Sequence, residues 1–158
     1  MISRNTKANL VSYAIVVLLY FVAMHIQQYS KDSDTAAELG ILEPDAQKIF
    51  RDFVTAIETE TDWNVHISSG KRTPEQQAEL KGKDPRNAAA FSSKHVLGQA
   101  IDINLYSTYT LQYIRKSDSK EEWLATGVPA IAKRFGLKWG GDFKTYHDPV
   151  HFEFTDLP

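Results

Sequence analysis

The pattern of apolar and polar positions separates one continuous apolar segment, residues 8–26, from a longer part with periodic apolar positions. Residues 10–24 of this segment, LVSYAIVVLLYFVAM, contain no charged side chain. Because a helix needs about 20 apolar residues to cross a bilayer, the segment predicts an N-terminal transmembrane helix that stays uncleaved. A cleaved signal peptide and a buried core helix are the alternatives.

The charges on either side of the apolar segment predict its orientation. Arg4 and Lys7 precede it, whereas Lys31 beyond it is offset by Asp32 and Asp34. Since positive residues favour the inner side, we expect a single-pass protein of the inner membrane with its N-terminus inside and residues 8–26 in the lipid bilayer.

Residues 27–39 are polar without an apolar period and indicate a linker, which leaves residues 40–158 as one folded domain after the anchor of residues 1–26. In that domain apolar residues recur at helical spacing from Ile49 to Ile57. They alternate with polar residues at Val65 and Ile67. Capping-box patterns begin at Thr73 and Ser119. Further strands are expected around residues 100–105, 137–139 and 151–154. The expected fold class is α+β: a small antiparallel sheet flanked by helices, plus the transmembrane helix.

Composition narrows the possible functions. The net charge is −2, so the basic surface typical of nucleic-acid binding is not expected. The chain has no cysteine, which excludes disulfides, thiolate metal sites and a cysteine nucleophile. A transition metal would have to be held by histidine and carboxylate side chains.

His95 and Asp102 are the first candidate metal ligands. Asp102 interrupts an apolar strand, and a buried carboxylate is costly unless it is paired or bound to a cation. A core salt bridge for Asp102 and a surface loop position for His95 are the alternatives. Taken together, a histidine and an aspartate form a nitrogen–oxygen ligand set that suits zinc.

A third ligand must come from the remaining histidines. His25 lies in the predicted membrane segment, and His66 alternates with Val65 and Ile67 and should face solvent. Placement in the final strand favours His151, with His147 as the alternative.

Two motifs resemble a known family. Ser-x-His-x-x-Gly-x-Ala-x-Asp is complete over residues 93–102, and residues 139–142 (WGGD) and 148–153 (DPVHFE) form the second motif. These residues resemble the zinc D-Ala-D-Ala carboxypeptidases of vancomycin resistance and, more closely, the L-alanyl-D-glutamate endopeptidases of phages and bacteria. The resemblance covers about residues 40–155.

The resemblance implies one zinc ion per chain, held on the sheet by His95, Asp102 and His151. It implies that Asp148 is the catalytic base. Aspartate at this position points to the endopeptidase branch, because the vancomycin-resistance branch has glutamate there.

Residues 69–80 resemble the family segment S-G-x-R…Q-x-x-L. By this resemblance Arg72 is a catalytic residue that reaches the substrate, unless it pairs with Glu75 or Glu79. The further residues expected to contact substrate are Gln77, Ser93 and Asp142. A carboxylate that fixes a histidine tautomer is expected at Glu153 or Asp142.

The implied function is that of an endolysin-like zinc metallopeptidase that hydrolyses the peptidoglycan stem peptide, at the L-alanyl-D-glutamate bond. A D-alanyl-D-alanine carboxypeptidase and a non-catalytic zinc module that binds cell wall or protein are the alternatives. The expected partner is the stem peptide, and the expected state is a monomer.

Overall fold

The computed structural model describes residue 13, residues 15–23, residue 35 and residues 37–155. The chain divides into two compact units, Met1–Ser33 and Asp34–Pro158. In the first unit, residue 13 and residues 15–23 are helical, and the other residues of the predicted membrane segment lie outside the described residues.

The prediction of a transmembrane helix is wrong. A helix needs about 20 residues to cross the roughly 30 Å of a hydrocarbon core. No helix in the described part of the chain is long and apolar enough to do so. Two further predictions depended on that helix and are not supported. They are the single-pass localisation in the inner membrane and the lipid bilayer as a partner of residues 8–26.

An antiparallel sheet forms the centre of the second unit, as the α+β prediction required. Its strands among the described residues are β1 (Asn64–Ser69), β2 (Ala100–Tyr106), β3 (Tyr113–Ile114), β4 (Leu137–Trp139) and β5 (His151–Phe154). The strand order is β1-β2-β5-β4, and β3 pairs with β2. All pairs are antiparallel. The last strand in sequence therefore lies inside the sheet.

The helices that accompany the sheet include α1 (Pro44–Glu60), α2 (Pro74–Lys83), α3 (Lys120–Ala125) and α4 (Val128–Arg134). The capping boxes predicted at Thr73 and Ser119 are confirmed at the starts of α2 and α3. The break between α3 and α4 falls at Gly127, whose φ of 77° is readily adopted only by glycine.

The hydrophobic core lies between α1 and one face of the sheet. Phe50 and Phe53 of α1 pack on Phe154 and Phe152 of β5, with ring centroids 5.1 and 5.2 Å apart. Leu39, from the segment predicted as a linker, is also buried in this core. Burial of these apolar surfaces is the main stabilising contribution to the unit.

Strand β2 separates the core from the opposite face of the sheet. Ile101 and Ile103 are fully buried in the core, whereas Asp102 between them is half-buried. Because successive side chains of a strand point to opposite faces, Asp102 lies on the face away from α1. That face carries the candidate site.

An irregularity in β1 shapes the same face. The register of β1 against β2 shifts between Ile67 and Ser69, so that Ser69 lies opposite Asp102. Bulges of this kind redirect a strand locally. The segment that follows β1, through Arg72, is therefore close to Asp102.

Candidate metal centre

Asp102 and His151 face each other across the pairing of β2 with β5. Directly opposed residues of an antiparallel pair have Cβ atoms about 5 Å apart, which suits two ligands of one ion. His151 Nδ1 lies 3.0 Å from Asp102 Oδ1.

His95 reaches the same point from a turn before β2. Its Nε2 lies 3.1 Å from Asp102 Oδ1 and 3.1 Å from His151 Nδ1. The turn depends on Gly98, whose φ is +71° and whose added Cβ would come within 2.8 Å of Glu43 N. Gly98 O also accepts a hydrogen bond from Glu43 N, which fixes the turn against the start of α1.

The tautomer of each histidine is set by the acceptor that contacts the ring nitrogen facing away from Asp102. His95 Nδ1 donates to the carbonyl of Gly70 at 2.7 Å, and this oxygen can only accept. His151 Nε2 donates to Glu153 Oε2 at 3.0 Å. Each neutral ring therefore directs a lone pair towards Asp102, which is the arrangement found at metal-binding histidines.

The three inner atoms, His95 Nε2, Asp102 Oδ1 and His151 Nδ1, fit one tetrahedral ion. They form a nearly equilateral triangle with sides of 3.0 to 3.1 Å. Ligands bound at about 2.0–2.1 Å in tetrahedral geometry would lie about 3.3 Å apart. The residues present can thus hold one metal ion, and nitrogen with carboxylate oxygen is a donor set that suits zinc.

The electrostatics of the site favour a positive charge at its centre. Burial raises the pKa of Asp102, but hydrogen bonds from His151 and His95 outweigh it and hold that pKa well below its usual value. Burial lowers the pKa of His151, but hydrogen bonds to Asp102 and Glu153 raise it to about 9. Both pKa shifts show that a positive charge between these side chains is favourable. A proton or a metal ion can supply that charge.

Arg72 holds the outer oxygen of Asp102. Its Nη2 lies 2.5 Å from Asp102 Oδ2, while Nε donates to Ser69 and Nη1 donates to Gln77. Arg72 therefore pairs with Asp102 and not with Glu75 or Glu79, which were the alternative partners. Arg72 also lines the cleft described below.

Asp148 lies three residues before His151 and is buried at a close backbone crossing. Its N–H donates to Gly140 O, and an added Cβ on Gly140 would come within 2.3 Å of Asp148 O. Asp148 O accepts from the N–H of His151, which couples the two positions. The carboxylate forms an ion pair with Lys116, whose Nζ is 2.9 Å from Asp148 Oδ1.

A cleft of about 310 Å³ opens over the three inner atoms. Of the residues predicted from the sequence, it brings together His95, Asp102, His151, Asp148, Arg72, Gln77 and Ser93. Asp142 does not line it, because its exposed carboxylate pairs with Lys120. His147 is exposed and does not belong to the group of inner ligands.

Three features of the site were missed in the sequence. The Gly70 carbonyl orients His95 through a backbone atom, which no residue type reveals. Lys116 and Tyr146 also line the cleft, and both lie outside the quoted motif residues. Only Tyr146 could have been suspected from the sequence, because it lies two residues before Asp148 of the second motif.

Comparisons with known proteins agree with the geometry. Residues 86–154 match the family described as D-alanyl-D-alanine carboxypeptidase. The peptidoglycan L-alanyl-D-glutamate endopeptidase CwlK of Bacillus subtilis (strain 168) is 33% identical over 102 residues, which are 57% of this chain and 60% of CwlK. The match thus spans about 60% of the length of that curated relative.

Solved structures share the fold. The L-Ala D-Glu endopeptidase ChiX of Serratia marcescens superposes with a TM-score of 0.57 at 22% identity, over 77% of this chain and 86% of ChiX. A mutant of the vancomycin resistance D,D-pentapeptidase VanY, in complex with Zn(II), gives a TM-score of 0.53 at 19% identity, over 73% of each chain. The matched residues 86–154 contain both motifs, so the resemblance seen in the sequence is confirmed.

Proposed function

We propose that the chain is a zinc-dependent peptidase that hydrolyses the L-alanyl-D-glutamate bond of the peptidoglycan stem peptide. The observation that carries this proposal is the convergence of His95 Nε2, Asp102 Oδ1 and His151 Nδ1 within 3.1 Å, with both histidine tautomers fixed from outside. Orienting acceptors on both rings are what a metal site needs. Accordingly, these three side chains are the proposed ligands of one zinc ion.

Zinc held there supplies Lewis acidity and allows water to act as a nucleophile near neutral pH. The chain's own residues handle the proton. Asp148 lines the cleft and is the proposed general base, which takes a proton from the attacking water and delivers it to the departing amine. Its backbone contact with His151 keeps the base and a ligand in a fixed relation.

Arg72 is proposed to act beside the metal. Its guanidinium holds Asp102 and lines the cleft, so its charge lies close to the oxygen that becomes negative as the amide is attacked. Gln77 and Ser93, which line the same cleft, are proposed to contact the substrate. Gln77 is positioned by its hydrogen bond to Ala88 O.

The endopeptidase is preferred to a D-alanyl-D-alanine carboxypeptidase for two reasons. Aspartate occupies the proposed base position, as in the endopeptidase branch of the family. The relative CwlK is also named for the L-alanyl-D-glutamate bond. A non-catalytic binding module is disfavoured, because the base candidate Asp148 lines the cleft beside the three ligand candidates.

One experiment separates these functions. The purified zinc-loaded chain is incubated with peptidoglycan, and the products are identified by mass spectrometry. New amino termini on D-glutamate support the proposal, and released D-alanine supports the carboxypeptidase. Absence of any product, with one zinc ion bound and the fold intact, would exclude both enzymatic functions.

A further inference from the structure

We infer that Lys116 is a specificity residue that binds the α-carboxylate of the residue whose amine is released on cleavage; this inference rests on the proposed function. Lys116 lines the cleft, and its Nζ is 2.9 Å from Asp148 Oδ1. Its side chain is 65% exposed, against 11% for Asp148. The ammonium group is therefore beside the base and open to an incoming molecule.

The other cations that line the cleft are occupied by protein groups. Arg72 donates from Nε, Nη1 and Nη2 to Ser69, Gln77 and Asp102. Lys94 donates to Gln99 Oε1 and Thr155 O.

Lys116 differs from these two cations in having fewer protein partners among the described residues. Its ion-pair partner within the described part of the chain is Asp148. An ammonium group has three N–H donors, so it can hold Asp148 and a second carboxylate together.

The charge of the cleft selects an anion. Its acidic residues, Asp102, Asp148 and Glu153, are balanced by Arg72, Lys94 and Lys116. With neutral histidines and a bound divalent ion, the cleft has a net positive charge. A positive cleft with low-dielectric walls concentrates negatively charged substrates.

The chemistry of cleavage indicates where that anion lies. Asp148 delivers its proton to the departing amine, so Lys116 is on the side of the released residue. In the stem peptide, D-glutamate continues through its γ-carboxyl group and keeps a free α-carboxylate on the carbon next to the scissile nitrogen. A C-terminal D-alanine carries its carboxylate at the same position, whereas an internal residue of an ordinary peptide has an amide there.

The test uses matched peptides of sequence L-Ala–γ-D-Glu–L-Lys, in which the α-carboxylate of D-glutamate is either free or amidated. The zinc-loaded full chain should show a kcat/KM about tenfold higher for the free acid, which is the size expected for one partly exposed charge-assisted contact. Lys116→Met should bring the ratio of the two kcat/KM values close to one, while Lys116→Arg should retain most of it. Because loss of the Asp148 contact affects both peptides alike, the ratio isolates recognition of the carboxylate.

The control is Lys48→Met, which removes an exposed lysine that pairs with Asp52 on α1 and should leave the ratio unchanged. A second pair of peptides, ending in D-Ala-D-Ala as acid or amide, shows which source of the carboxylate is used. Equal kcat/KM for acid and amide in the unaltered chain, or a ratio that survives Lys116→Met, would overturn the inference.

A binding measurement separates this inference from the proposed function. Calorimetry compares γ-D-glutamyl-L-lysine with its α-amide as ligands of the unaltered zinc-loaded chain. Tighter binding of the acid without any cleavage would sink the proposed peptidase and leave the role of Lys116 intact. Equal binding and no cleavage would overturn both.

Discussion

His151 donates a hydrogen bond from Nε2 to Glu153 Oε2 over 3.0 Å, and the two residues lie two positions apart on one face of β5. In the neutral ring this bond places the proton on Nε2 and leaves Nδ1 free on the side of Asp102, so the tautomer that can bind metal is set within one strand. Lys138 contacts the other oxygen of Glu153 at 3.2 Å and holds the carboxylate in place.

Replacing Glu153 should weaken metal binding. We expect Glu153→Ala to lower the zinc affinity by about 10- to 100-fold, because His151 loses the acceptor that fixes its tautomer. Glu153→Gln should lose less, since its amide oxygen still accepts. Competition with a chromophoric chelator measures both, and Glu60→Ala, which breaks a surface pair with Arg134, is the control. Unchanged affinity in Glu153→Ala would refute the orienting role.

Replacing Asp148 should separate catalysis from metal binding. Asp148→Asn should keep one zinc ion and lower kcat at least about 100-fold, because the base that transfers the proton is lost. His151→Ala should lose the zinc itself, whereas His147→Ala, at an exposed position, should keep both zinc and activity. Metal analysis and peptide cleavage assays are the measurements. If the Asp148 and His151 variants lost zinc equally, Asp148 would be a ligand and not the base.

Arg72→Met should destabilise the protein even without zinc. The carboxylate of Asp102, 15% exposed, would lose the guanidinium that contacts Oδ2. Leaving a buried charge without its partner costs about 3–5 kcal/mol, and partial exposure reduces this to about 2–3 kcal/mol. Arg134→Met removes a surface pair with Glu60 and should cost less than about 1 kcal/mol. Urea unfolding of the zinc-free variants gives both values, and equal losses would contradict the prediction.

Two glycines offer a matched pair of substitutions. Gly140→Ala should lower the free energy of unfolding by about 1–3 kcal/mol, because its Cβ would meet Asp148 O at 2.3 Å and push the base from its position. Gly82, near the end of α2, has no atom within 4 Å of an added Cβ. Gly82→Ala should therefore stabilise by up to about 1 kcal/mol. Thermal unfolding and kcat test both, and a neutral Gly140→Ala would show that the crossing can relax.

Removal of zinc should lower the melting temperature, because the ion binds the folded chain. At free zinc about 100 times its Kd, the ion adds about 2.7 kcal/mol, or roughly 10 °C for a unit of this size. Scanning calorimetry with and without a chelator measures the difference. His95→Ala should show no zinc-dependent shift, and an equal shift in that variant would place the ion elsewhere.

Local patterns predicted most of the secondary structure. The capping boxes at Thr73 and Ser119 place side-chain acceptors beside free N–H groups, so they act within a few residues and can be read directly. The apolar alternation around Asp102 predicted its strand for the same reason. Hydropathy alone was less informative at residues 8–26, where no helix among the described residues can cross a membrane.

The site was only partly predictable, because its remaining parts depend on tertiary contacts. The motifs indicated His95, Asp102 and His151 as ligands, and the structure brings these three side chains together. The pairing of Arg72 with Asp102 joins residues 30 positions apart, and it depends on the register shift in β1. Lys116 approaches Asp148 from the segment after β3, and no local pattern predicts a contact between residues so far apart in the sequence. The resemblance likewise led us to expect Asp142 at the site, but its carboxylate pairs with Lys120 and does not line the cleft.

The insertion of β5 between β2 and β4 has a consequence for biosynthesis. A ribosome releases β1, β2 and β3 well before His151, so the early strands can pair while the centre of the sheet is still missing. Contacts of such long sequence separation form slowly during folding. We therefore expect that a nascent chain cannot hold the ion with all three ligands until β5 has left the exit tunnel and paired with β2.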